Sequence, residues 1–188
     1  MNKNLYIGIL GGSFDPPHEG HVNISKAALT KMKLNEIWWI VTSSNPFKLQ
    51  SSLFSKRYQK TKDYVSDKNI KIMKLDEKKS AFTIDTVLYL KKKYPNYNFI
   101  WLMGSDNLIE LHKWKSWKEI FYNIPIAIFD RPLYSFTLTK FKSLIYFRKE
   151  KVSKSLIKKF KNFEPPAWIF IDGLVNFQSS TKIRNKSS

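Results

Sequence analysis

The chain has 188 residues, 43% of them hydrophobic, which is enough to bury one real core and too apolar for a disordered chain, while no apolar run reaches transmembrane length. With no cysteine, disulfides, thiolate nucleophiles and cysteine-ligated zinc are excluded. Lys and Arg number 33 against 15 Asp and Glu, a formal charge of +18 carried mostly by scattered lysines; such a field can steer anionic substrates or hold nucleic acid non-specifically, but bidentate reading of phosphates or bases would favour arginine.

The apolar run Leu5–Leu10 reads as a buried strand, starting so near Met1 that no signal peptide fits before it; a cytoplasmic protein is expected. The stretch Gly11-Gly12-Ser13-Phe14-Asp15-Pro16-Pro17-His18-Glu19-Gly20-His21 follows. Its two glycines allow positive φ or close approach of a ligand, and Pro16 and Pro17 delay the next helix to about Glu19 or Gly20. His21 then falls in the first helical turn and His18 just before it, where unsatisfied N–H groups and the helix dipole favour an anion, so that both imidazoles can converge on one phosphate. The pattern is neither a Walker A loop nor G-x-G-x-x-G, and read alone it could also be a Gly/Pro turn whose histidines merely cap the helix.

Val22, Ile24, Ala27, Ala28 and Met32 suit an amphipathic helix, and Glu36–Thr42 a strand apolar on both faces, with Trp38 and Trp39 as core. Residues 53–66 predict a basic helix containing Arg57, and Ile70–Leu75 a third strand. Thr83 is placed as the N-cap of a helix through Val87, Leu88, Leu90 and Tyr94 that stops at Pro95. Asn98–Met103 is the next strand, with Asp106 beyond its end suited to cap a helix at 107–112 and His112 on the surface. After the strand Ile124–Phe129 comes the densest basic segment: residues 131–161 hold ten Lys or Arg and one acid, Glu150, and predict a helix around 137–161. Phe136, Phe141, Tyr146 and Phe147 interleave there in a spacing that suits either nucleic-acid contact or packing on the sheet. Glu164-Pro165-Pro166 is a linker, Ala167–Ile171 a final strand, and Ser179–Arg184 another helix start rich in hydroxyls. Apolar strands alternating with helices imply a single domain over 1–188, with the basic helical segment at about 135–161 inside it. The fold is α/β, a Rossmann-like parallel sheet with helices on both faces and one crevice at the strands' carboxyl ends.

The glycine–histidine stretch resembles the nicotinate mononucleotide adenylyltransferase family of the H-x-G-H nucleotidyltransferases. Further matches are Asn45-Pro46-Phe47-Lys48, near the family's N-P-x-K form; Thr83-Ile84-Asp85-Thr86 (T-x-D-T); Gly104–Leu108 (G-x-D-x-L) followed by Trp114; Arg131-Pro132, with Leu133 where relatives usually have glycine; and Ser179–Arg184 (S-S-T-x-I-R). The resemblance spans about residues 5–184.

It implies adenylyl transfer from ATP, with Mg²⁺, to nicotinate mononucleotide, with no enzyme nucleophile. His21 would bind the α-phosphate, while His18, Lys48, Arg184, Ser180 and Thr181 would hold the polyphosphate. Gly12, Ser13, Phe14 and Gly20 would frame the nucleotide, and Asp106 would take its ribose hydroxyls and help hold the magnesium–nucleotide geometry. Thr83, Asp85 and Thr86 would line the nicotinate pocket, with Trp114 stacked on the pyridine ring. No protein-held metal site and no membrane contact are expected. A phosphopantetheine or nicotinamide mononucleotide adenylyltransferase stands as the near alternative, and a basic nucleic-acid-binding protein on a degenerate scaffold as the remote one.

Overall fold

The computed structural model describes residues 5–43, 52–75, 81–130 and 140–173. Their strands form one sheet: β1 (Leu5–Gly12), β2 (Glu36–Val41), β3 (Ile70–Met73), β4 (Tyr97–Gly104), β5 (Ile126–Phe129), β6 (Lys151–Val152) and β7 (Trp168–Ile171), in the order β3-β2-β1-β4-β5-β7-β6. Every neighbouring pair is parallel. The helices are α1 (Glu19–Lys31), α2 (Phe54–Tyr64), α3 (Thr83–Lys93), α4 (Leu108–Leu111), α5 (Trp117–Asn123) and α6 (Lys142–Tyr146).

Both faces of the sheet are covered, which is why its strands are continuously apolar rather than alternating. Alternate residues go to opposite sides. Ile7, Ile9, Trp38, Ile40, Phe99, Trp101 and Met103 pack with Ile84, Val87 and Leu90 of α3 and with Ile120 and Phe121 of α5. Leu10, Ile37, Trp39, Val41, Ile100 and Leu102 pack with Ile24, Ala27 and Ala28 of α1. Trp38 and Trp39 are core on opposite faces, at 4% and 0% exposure, as expected. Gly11 is required by close approach: a Cβ there would lie 2.7 Å from the Trp101 ring.

The strand order places the site. The chain winds outward from β1 through β2 to β3, then returns to the other side of β1 with β4 and continues to β5. The reversal lies between β1 and β4, and a ligand crevice opens outside the carboxyl ends of strands at such a switch point. α1, which follows β1, starts at that edge. α3 precedes the parallel strand β4, so its start lies at the same edge on the opposite face.

Two sequence expectations need correction. The segment predicted as one helix around 137–161 is broken, within its described part, into α6, three short 3₁₀ turns and the two-residue strand β6. Its apolar side chains have to serve both faces of the sheet: Leu144 and Phe147 join the α3/α5 side, Phe160 joins the α1 side, and β6 runs along the edge between them. A straight helix cannot wrap an edge in this way. Second, the residue capping α3 is Phe82, and Thr83 is already inside the first turn, because Thr86 N–H closes that turn on Phe82 O at 3.1 Å.

Candidate active site

β1 ends at Gly12, and the chain turns sharply at Phe14, whose φ of 46° is left-handed. A bulky residue there is strained unless its surroundings hold it. The Phe14 side chain is 1% exposed, stacked on Trp39 (centroids 4.8 Å, interplanar 11°) and 4.7 Å from the His21 ring. At Gly12 a Cβ would come 3.3 Å from that phenyl ring, so the position before the turn is confined to a small residue.

α1 begins one residue after His18, within the range the prolines set. His18 Nδ1 accepts from Gly20 N–H at 3.1 Å, and His21 Nδ1 accepts from His18 N–H at 3.2 Å. The two histidines thus form a reciprocal cap, the arrangement that serine and glutamate usually supply. The expectation that first-turn N–H groups wait for an anion is therefore corrected: Gly20 N–H and His21 N–H bond to His18, the latter to its carbonyl at 2.9 Å. A ring nitrogen that accepts a hydrogen bond carries no proton, so each neutral ring holds its proton on Nε2. The rings stack with centroids 3.8 Å apart. In this arrangement the Nδ1 atoms are taken up by the cap, and Nε2 is the donor atom of each ring. Trp39 braces this turn through Ser25: its Nε1 donates to Ser25 Oγ at 2.8 Å, and that hydroxyl donates to His21 O at 2.9 Å.

Asp106 lies just past β4, in a 3₁₀ turn over Ser105–Asn107. Gly104 holds the cap position of this turn and Asn107 that of α4, so Asp106 lies inside the turn and not at the cap position expected of it. It is half-buried, and Asn107 Nδ2 donates to its Oδ1 at 3.4 Å. Since β4 pairs with β1, this turn sits beside the Ser13–His21 loop.

On the other face, α3 starts without a side-chain cap. Thr86 is 2% exposed, and Trp114 packs half-buried against the same cluster as α3. Sequence reading missed their tie: Lys115 Nζ donates to both carboxylate oxygens of Asp85, at 3.1 and 3.0 Å, and lies 4.9 Å from the centre of the Phe82 ring. The Trp114 segment is thereby held over the start of α3. His112 is half-buried rather than fully on the surface.

Arg57 was legible as a basic helix residue without a role. It is 1% exposed, and its guanidinium donates to Ser13 O (2.7 Å), Ser43 O (3.1 Å) and Ser52 O (3.2 Å). Burial pushes its pKa down from the usual value, and the charge of Asp15, 6% exposed, pulls the other way. Lys48, Ser180, Thr181 and Arg184 lie outside the described residues. Among the described residues no group of three or more His, Cys, Asp or Glu could hold a metal, and no helix is long and apolar enough to cross a membrane.

A parallel sheet of this order, with a histidine-capped helix start at its switch point, is a Rossmann-like α/β fold. Residues 9–186 match the cytidylyltransferase-like family. A relative from Rhizobium johnstonii named "Probable nicotinate-nucleotide adenylyltransferase" is 34% identical over 99% of this chain and 95% of its own. Another of the same name, from Agrobacterium fabrum, is 35% identical over 96% and 98%. The fold is also that of the Plasmodium falciparum nicotinic acid mononucleotide adenylyltransferase complexed with NaAD: TM-score 0.70 and 23% identity, over 97% of this chain and 83% of that one. The chain belongs to the cytidylyltransferase-like family and, within it, to the nicotinate-nucleotide adenylyltransferases.

Proposed function

We propose that this protein transfers the adenylyl group of ATP to nicotinate mononucleotide, giving nicotinate adenine dinucleotide and pyrophosphate, a step of NAD biosynthesis. Kinship at 34–35% identity over nearly the full length supports the reaction. The observation that carries the mechanism is the reciprocal cap of His18 and His21, which fixes two Nε2–H donors side by side at the switch point.

A phosphate oxygen of the mononucleotide attacks the α-phosphorus of ATP. The new P–O bond forms as the bond to the β-phosphate oxygen breaks, and pyrophosphate leaves with that electron pair. No covalent enzyme intermediate is needed, so catalysis is positioning and charge stabilisation. His21 donates to the α-phosphoryl oxygens, whose charge grows in the transition state, and His18, Lys48, Arg184, Ser180 and Thr181 hold the remaining phosphates. Gly12, Ser13, Phe14 and Gly20 frame the nucleotide, and Asp106 takes the ribose hydroxyls. ATP enters as its magnesium complex, the ion travelling with the phosphates as part of the substrate.

The uncapped start of α3 offers N–H groups to the nicotinate carboxylate beside Trp114, and Thr83 and Thr86 line that pocket. Asp85 alone would repel the substrate's carboxylate; its pairing with Lys115 offsets the charge and holds the tryptophan segment in place. One nucleotidyltransferase unit over 1–188, working in the cytoplasm, is the consistent picture. The test is pyrophosphate release from ATP with nicotinate mononucleotide, nicotinamide mononucleotide and phosphopantetheine in parallel. Turnover is expected with the first; turnover with phosphopantetheine alone overturns the reading.

A further inference from the structure

We propose that Arg57 is a positioning residue for the nucleotide: by gripping the Ser13 carbonyl it holds the Ser13–Phe14 peptide so that the Phe14 N–H is presented to the phosphates of ATP. The inference rests on the adenylyl-transfer reading above and adds to it a residue that makes no substrate contact.

The grip joins three segments. Ser13 follows β1, Ser43 follows β2, and Ser52 precedes α2, and each gives one carbonyl to the same guanidinium. Removing a cation from water costs several kcal/mol even after relaxation, so an apolar side chain would fill this space at lower cost if packing were all that was needed. What only arginine supplies is a planar fork whose donors reach several acceptors at once. A lysine ammonium can satisfy one or two of these carbonyls but does not fix a plane.

The consequence for the loop follows from peptide geometry. In a trans peptide the C=O and the next N–H point to opposite sides. With Ser13 O held against Arg57 at 2.7 Å, the Phe14 N–H is turned away from Arg57. No backbone carbonyl among the described residues accepts from it. The same residue carries the left-handed φ of 46°, and its ring is 4.7 Å from His21. A strained peptide is thus clamped on its oxygen side, with its nitrogen side left for a ligand next to the imidazole assigned to the α-phosphate.

The test compares Arg57→Met, which keeps length and loses all donors, and Arg57→Lys, which keeps the charge and loses the fork, with Phe160→Leu, a core change on the same face of the sheet. For each, the Tm, kcat, both KM values and the Kd of a non-hydrolysable ATP analogue are measured. A misplacement of about 1 Å can cost up to about 10²-fold, so Arg57→Met should lower kcat/KM for ATP by about ten- to a hundred-fold, with KM for the mononucleotide within about two-fold. Arg57→Lys should recover Tm more fully than analogue affinity. Phe160→Leu should lose Tm and leave both KM values unchanged. Arg57 variants whose ATP and mononucleotide parameters move only as Phe160→Leu does would overturn the proposal.

If Arg57→Met and Arg57→Lys do not fold, amide exchange on the wild-type protein decides. ATP should slow exchange at the Phe14 amide by about ten-fold or more; no slowing overturns the presentation of that N–H. Wild-type protein that turns over no ATP refutes the activity itself, whereas an active wild type with an indifferent Arg57→Met refutes only the positioning role.

Discussion

At the start of α1 two imidazoles cap each other's turn, while at the start of α3, on the opposite face of the same sheet edge, the residue at the cap position, Phe82, gives no side-chain hydrogen bond. Gly20 N–H and His21 N–H of the first turn are engaged by His18. Beside the second stands an ion pair, Asp85–Lys115. The contrast fits the two substrates. In the proposed reaction, a polyphosphate that gains charge would be met by donors held rigidly on rings. A carboxylate that takes no part in the chemistry would be met by plain backbone, which binds ground state and transition state alike.

Removing a ring donor is the most forceful way to break this contrast. His21→Ala should lower kcat by about 10²–10³, the usual loss for one preorganised donor to developing charge, while KM for ATP rises less; His112→Ala should stay near wild type. Near-full turnover in His21→Ala would dismantle the α1 half of the comparison. The α3 half is sharpened by substrate choice. Losing a hydrogen bond to a charged partner costs about 1.5–3 kcal/mol, so nicotinate mononucleotide should be preferred over its amide by about ten- to a hundred-fold in kcat/KM. Equal use of both would mean that the start of α3 does not read the carboxylate.

Smaller effects separate capping from binding. His18→Ala should cost about 1 kcal/mol of stability by loss of the cap. His18→Asn restores a cap without an Nε2–H, so Tm should return while kcat stays low; recovery of both would make His18 a cap only. Least of all, Lys115→Ala should cost under about 1 kcal/mol of stability, because the pair it breaks is 49% and 32% exposed. Its effect on KM for the mononucleotide should fade as salt rises; a salt-independent loss would place Lys115 in direct contact with substrate.

The sheet was legible because strands buried on both faces leave unbroken apolar runs, as in Leu5–Leu10 and Asn98–Met103. Proline rules alone put the start of α1 at Glu19 or Gly20, and it is at Glu19. The basic segment was misread because the spacing of Phe141, Phe147 and Phe160 does not say that the first two serve one face of the sheet and the third the other. Arg57 stayed hidden for a different reason: its partners are backbone carbonyls, which every residue has, so no side-chain pattern announces them. Nor could the fixing of the histidine tautomers be read, since it depends on two hydrogen bonds a few ångströms apart.

Among the described residues, the sheet's two margins give the lysine-rich composition a use outside catalysis. One margin is β3, four residues long, whose Lys71 reaches across to Glu36 at 2.6 Å and keeps a half-exposed side chain. The other is β6, only two residues long, with Lys151 exposed and its ammonium 5.5 Å from the centre of the Trp168 ring. An open sheet this apolar is a template for another chain's strand, and brevity together with a lysine at the border is how such a template is blunted. Two of the 33 Lys and Arg residues that make the molecule basic thus also guard its sheet borders against strand-to-strand aggregation.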